Sequence, residues 1–72
     1  MPSRYFRVPL AEIGYVRMIV EAYDGLAVVV TPDAAVGIIE WWIAPGREDE
    51  ARTLADALER RIGLTDVTVV PA

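Results

Sequence analysis

Histidine, cysteine, lysine, asparagine and glutamine are all missing from this chain of 72 residues. Without cysteine there is no disulfide, no thiol redox chemistry and no thiolate nucleophile. Without histidine as well, zinc sites of the usual nitrogen and sulfur type are excluded, as are Ser-His-Asp and Cys-His catalytic arrangements. The lack of lysine removes Schiff-base chemistry. What is left for chemistry is eleven carboxylates, seven basic residues that are all arginine, three tyrosines, and a few hydroxyls. The residue inventory therefore argues against an enzyme, a metal protein or a cofactor carrier. Long apolar runs are missing too: no stretch of about 18 residues could span a bilayer. Met1-Pro2-Ser3-Arg4 leads straight into alternating residues rather than a signal peptide. A cytoplasmic protein is the expectation. The net charge of −4 argues against a phosphate backbone as partner.

A chain this short makes one small domain, burying only about 60% of its unfolded surface. With no disulfide or zinc to reinforce it, association with a partner is the remaining source of extra stability. Residues 1–3 read as an N-terminal tail and 4–72 as a single domain.

The pattern along the chain is regular. Arg4 to Val8 alternates as a strand, with Phe6 and Val8 on one side and Tyr5 and Arg7 on the other. From Leu10 to Tyr23 the period becomes helical, with Ile13, Val16, Val20 and Tyr23 in one stripe. Arg17 and Glu21, one turn apart, are placed to pair on its solvent side. Asp24-Gly25 stops this helix. Leu26 to Thr31 and Val36 to Ala44 are β-branched runs, and Pro32-Asp33-Ala34-Ala35 suits a tight turn between them. A second helix runs from about Arg47 to Ile62. Its apolar stripe is Ala51, Leu54, Ala55, Leu58 and Ile62, and Gly63 caps it. Thr65 to Val70 is the last strand.

The order β-α-β-β-α-β predicts an α+β fold, the ferredoxin-like sandwich. Its four-stranded antiparallel sheet has the strand order 4-1-3-2, with both helices on one face. Pro32 then falls on an edge strand, where a missing donor is tolerated.

The apolar content, 54% before the five glycines are counted, exceeds what one small core absorbs. On helix one the apolar arc spans about 220°, where a helix lying on a sheet needs little more than ~100°. Tyr15, Met18 and Ala22 form the flank left over and are candidate interface residues. On strand three, if Ile39, Trp41 and Ile43 face the helices, Ile38, Glu40 and Trp42 face the other way. The alternative register, with Trp42 inward, leaves Trp41 on the open face instead. Tyr5 and Arg7 share that face, with Val28 and Val30 from strand two. Tyr5, Arg7, Ile38, Glu40 and Trp42 are thus the candidate ligand or interface residues, with Arg7 and Glu40 placed to form an ion pair. A homodimer packing these faces together is the preferred expectation, and a small apolar or aromatic ligand is the next.

Other candidates reduce to local structure. Glu48-Asp49-Glu50 could suggest a cation cluster, but consecutive helical positions diverge by about 100°. The triplet instead complements the helix dipole, as Arg60-Arg61 does at the far end. Glu40 as an acid or base would need a raised pKa, which a neighbouring Arg7 opposes. RNA-binding modules share this element order but carry a basic-Gly-aromatic motif on strand three. Val36-Gly37-Ile38-Ile39-Glu40 lacks it.

The architecture resembles the ACT-type regulatory modules, small ferredoxin-like domains that pair and bind amino acids. Those modules place Gly, Asp or Asn in the first strand-to-helix connection, where this chain has Val8-Pro9-Leu10-Ala11. Acylphosphatases share the fold but require an asparagine that this sequence does not contain. A closer resemblance is carried by Ile13 with Glu21-Ala22-Tyr23-Asp24-Gly25-Leu26-Ala27, by Thr31-Pro32-Asp33, and by Ile43-Ala44-Pro45. In these segments the chain resembles a bacterial family of short proteins catalogued as a domain of unknown function. That resemblance implies the fold and a bacterial cytosolic setting, and no activity. The sequence as a whole points to a non-catalytic, homo-oligomerising interaction module. The alternative is an ACT-like ligand-binding regulator with its site at the sheet face or a dimer seam.

Overall fold

A computed structural model of the chain describes residues 2–68. Strand β1 (Ser3–Arg7) leads through a 3-10 turn (Leu10–Glu12) into helix α1 (Ile13–Glu21). Strands β2 (Ala27–Asp33) and β3 (Ile38–Ile43) follow, joined by a second 3-10 turn (Ala34–Val36). Helix α2 (Glu48–Ile62) and strand β4 (Thr65–Asp66) complete the order. The strands form one antiparallel sheet in the order β2-β3-β1-β4. This is the expected 4-1-3-2 arrangement read from its other edge, and the α+β ferredoxin-like fold is the one the pattern predicts.

Alternation decides the two faces of the sheet. Phe6 and Val8 from the β1 segment, Val29 from β2, and Ile39, Trp41 and Ile43 from β3 are buried. Against them pack Val16 and Val20 of α1 and Ala51, Leu54, Ala55 and Leu58 of α2, from the stripes read from helical spacing, whereas Tyr23, expected in the α1 stripe, lies beyond the helix and is exposed. Trp41 is fully buried, with its ring centroid 4.6 Å from that of Phe6, while Trp42 is 44% exposed. The register with Trp41 inward is therefore the one adopted.

Several boundaries differ from the expected ones, each for a local reason. The first turn of the expected Leu10–Tyr23 helix is 3-10, following Pro9, whose missing N–H suits a helix start. α1 itself ends at Glu21. Pro32 lies inside β2 rather than in the hairpin turn. The β2–β3 pairing is irregular between Val30 and Asp33, where proline cannot donate to the ladder. The turn is made instead by Ala34–Val36 and Gly37, the latter at φ +73°. β3 accordingly begins at Ile38, not Val36. β4 is shorter than the expected Thr65–Val70: Val67 and Thr68 lie beyond it, and positions 69 and 70 lie outside the described residues.

The connection between Ala44 and α2 is fastened by Arg47, which the sequence reading passed over. Its guanidinium donates to both carboxylate oxygens of Glu50 (2.9 and 2.8 Å) and to the Asp24 carbonyl. The start of α2 is thereby tied to the turn that ends α1. The Glu50 carboxyl is held below its usual range by that hydrogen bond from Arg47.

Candidate functional site

The face of the sheet turned away from the helices carries the candidate residues. Antiparallel pairing sets them in rungs, because residues directly opposite share a face. Ser3, Trp42 and Val28 make one rung, and Tyr5, Glu40 and Val30 the next. Arg7 opposes Ile38 in the third. Tyr5, Arg7, Ile38, Glu40 and Trp42 are thus brought together on one surface. Val28 (54% exposed), Trp42 (44%) and Tyr5 (38%) stand out from it, while Ile38, Glu40 and Val30 are half-buried among them.

Arg7 and Glu40 do not pair. Their backbones are offset by one rung, so the cross-strand neighbour of Glu40 is Tyr5. Diagonal neighbours in a sheet are about 7–8 Å apart, within reach of long side chains, but here the arginine does not close that distance. Among the described residues the ion pairs are Arg4–Asp66 and Arg47–Glu50. The Glu40 carboxylate instead acts on Tyr5, whose phenol is pushed above its ordinary value by that negative charge and then by the acceptor oxygens. The expected Arg17–Glu21 pair is also replaced, since Arg17 donates to Thr31 Oγ1 at 2.9 Å and ties α1 to the edge strand.

The far side of β1 is held past the end of β4. Val67 N donates to the Tyr5 carbonyl at 2.9 Å, and Tyr5 N donates to Thr68 Oγ1 at 2.8 Å. A shallow depression of about 450 Å³ lies there, lined by Tyr5, Arg7, Ile38 and Val67.

On the flank of α1 the three candidates separate. Tyr15 is half-buried against the core, whereas Met18 is 59% exposed and Ala22 is exposed. Glu48, Asp49 and Glu50 occupy the first turn of α2. Among the described residues no three acidic side chains are grouped to hold a metal ion, and no helix is long and apolar enough to cross a membrane.

A second concavity, missed in the sequence, lies on the opposite side of the sheet, between α2 and β1. Its signal was the pair Ala51 and Ala55, which had counted only as apolar stripe members. Small side chains one turn apart leave room beneath a helix.

A family model described as Domain of unknown function (DUF4911) matches residues 6–62. That span contains all three segments that carry the resemblance. No curated protein and no solved structure matches the chain.

Proposed function

The chain belongs to this family of unknown function, and from that premise we propose that it is a non-catalytic module that pairs with a second copy through the open sheet face. The observation that supports this is the pattern of charge within the apolar surface. Arg7 and Glu40 share a face with exposed Tyr5, Val28 and Trp42, yet neither is ion-paired within the described chain. A two-fold axis makes such a surface self-complementary, setting Arg7 of each copy against Glu40 of the other. Strands of five, six, seven and two residues at ~4.8 Å spacing present roughly 300 Å² in plan. With side-chain relief, two copies bury on the order of 1,000 Å², the lower bound for a specific interface.

The test is native mass by light scattering across about a hundredfold dilution, with charge swaps at the face. A dimer is expected for the natural chain. Arg7→Glu and Glu40→Arg should each weaken it, and the two together should restore it. A monomer at every concentration, or a double variant no better than the singles, refutes the reading.

A second reading draws on the depression at Tyr5, Arg7, Ile38 and Val67: a regulatory module holding a small apolar or aromatic ligand there. Native mass separates the two, since that reading allows a monomer whose melting temperature rises only with ligand.

A further inference from the structure

The rungs of the open face fix how two copies can lie on each other. Strands are ~4.8 Å apart, and alternate residues are ~6.8 Å apart along a strand. Arg7 on β1 and Glu40 on β3 therefore stand at opposite corners of one cell of the sheet, whose other corners are Tyr5 and Ile38. A two-fold axis that relates two stacked faces lies between them and parallel to both. It carries Arg7 of one copy directly over Glu40 of the other only when it bisects the Arg7–Glu40 diagonal at a right angle. That diagonal makes ~35° with the strands, so the axis makes ~55° and the two sets of strands cross at ~70°. This is nearer the orthogonal class of sheet packing than the aligned one, whose strands stay within about 30° of each other.

The same axis decides what else meets. Tyr5 and Ile38 lie beside it, so each falls about 3 Å, in projection, from its own counterpart. Tyr5 of one copy then comes down on the β4 side of β1 in the other, over the shallow depression lined by Tyr5, Arg7, Ile38 and Val67. The charges that set the axis and the hollow in the surface are separate observations, and they coincide on one residue. Tyr5 is 38% exposed and stands out from the face, as a side chain filling a partner's hollow must. Offset aromatic stacking across the axis accommodates two such rings. Trp42 falls over Thr65 of the other copy, about 19 Å from its own counterpart. Val28, the most exposed apolar residue of the face, falls past the end of β4 of the other copy and stays in water.

We infer that the depression is the seat of Tyr5 from a second copy, so that the two sheets cross at Tyr5 and Ile38 and carry Trp42 and Val28 toward the outside. This rests on the pairing proposed above and adds to it which groups carry the energy. Arg7 and Glu40 set the angle, and the seated tyrosine supplies the buried anchor at the centre of the contact. Because Val28 is left out, the interface is at the low end of specific contacts, and pairing depends on concentration.

Two measurements on the intact chain test it. The first is isotope-filtered NMR on an equal mixture of labelled and unlabelled chains, at a concentration where native mass shows the dimer. Contacts between copies should join the Tyr5 ring to the side chains of Arg7 and Ile38, and none should join Trp42 to Trp42. The second is the dilution series on Tyr5→Ala and Val28→Ala. Tyr5→Ala should weaken pairing by about tenfold or more, the loss expected of a central aromatic anchor. Val28→Ala, at the more exposed site, should change it by less than about twofold. Both positions lie outside the core, so the fold survives either substitution. Contacts between the two Trp42 rings, or a Val28→Ala effect equal to that of Tyr5→Ala, would overturn the crossing while leaving the pairing itself in place. A chain that is monomeric at every concentration removes both.

Discussion

Replacing Gly37 with alanine tests the tightest approach in the fold. Gly37 ends the β2–β3 turn at φ +73°, in the left-handed region, and its carbonyl accepts the Val8 N–H at 2.8 Å. A Cβ at this position would collide with the Val8 carbonyl oxygen, a backbone atom that cannot swing aside. Gly63, which caps α2 at φ +77°, has the same backbone requirement but open space where its Cβ would go. The left-handed conformation costs a non-glycine residue about 1–2 kcal/mol. Stiffening of the unfolded chain returns about 0.4–1 kcal/mol of that. Gly63→Ala should therefore cost roughly 0.5–1 kcal/mol. Gly37→Ala adds the collision and the strained or lost Val8–Gly37 hydrogen bond, about 0.5–1.5 kcal/mol for the bond alone, and should reach roughly 2–3 kcal/mol. In a domain this small 1 kcal/mol moves Tm by about 4–8 °C. Thermal unfolding followed by far-UV circular dichroism, at one protein concentration for all three chains, should place Gly37→Ala about 4–20 °C below Gly63→Ala. Melting temperatures for the two variants within about 3 °C of each other would refute the claimed packing of the turn against Val8.

Leu58→Ala, at a buried position of α2, should cost about 2–5 kcal/mol by urea unfolding, whereas Met18→Ala on the exposed flank of α1 should change stability by less than about 0.5 kcal/mol. For Asp66, burial raises the carboxyl pKa, but hydrogen bonds from Arg4 and Thr68 outweigh it and leave the group below its ordinary 3.8. A lowered folded pKa means that its stabilisation is present above the ordinary carboxyl range and is lost as pH falls through the folded value. Asp66→Asn should thus be less stable than the natural chain at about pH 5, by no more than ~1 kcal/mol for so exposed a pair, and the gap should close as pH falls through the folded value. Arg47→Ala should lower Tm more than Arg60→Ala, because Arg47 alone of the two ties Asp24 to the start of α2.

What could be read in the sequence follows from which forces are periodic. That Ile39, Trp41 and Ile43 share one face is legible because side chains alternate every second residue, though not which of the two Trp-bearing faces turns inward, and the α2 stripe is legible because it repeats at three and four. The strand order follows from element order and short connections. Details that depend on one residue's backbone were not legible. Pro32-Asp33 has turn composition, yet an edge strand accepts Pro32, and the chain turns later, at Gly37, where only glycine fits against Val8. Arg7 and Glu40 share a face in the alternation, but whether they meet depends on a one-rung offset that alternation does not contain. Arg17 shows the same limit: its helical neighbour Glu21 was visible, and Thr31, fourteen residues on, was not. The cavity was hidden for a different reason. Ala51 and Ala55 score as apolar residues in a stripe, and the space they leave is a property of volume rather than polarity.

The two surfaces meet in β3, where Trp41 lies under the helices and Trp42 on the open face. Adjacent residues on opposite faces invite the idea that a ligand at one would be felt at the other. Coupling between sites requires an element with two arrangements that each site biases differently. The sheet shows none among the described residues: apart from the unpartnered Trp41 N–H the core is apolar, with no buried charged group to re-pair. Packed cores shift between discrete arrangements rather than deforming continuously. Packing around the concavity and pairing through the open face should then be independent. Ala55→Leu, which puts bulk into the concavity under α2, should leave the native mass across the same dilution series unchanged. A shift in that mass would mean that β3 moves as a unit, and that packing under α2 regulates assembly.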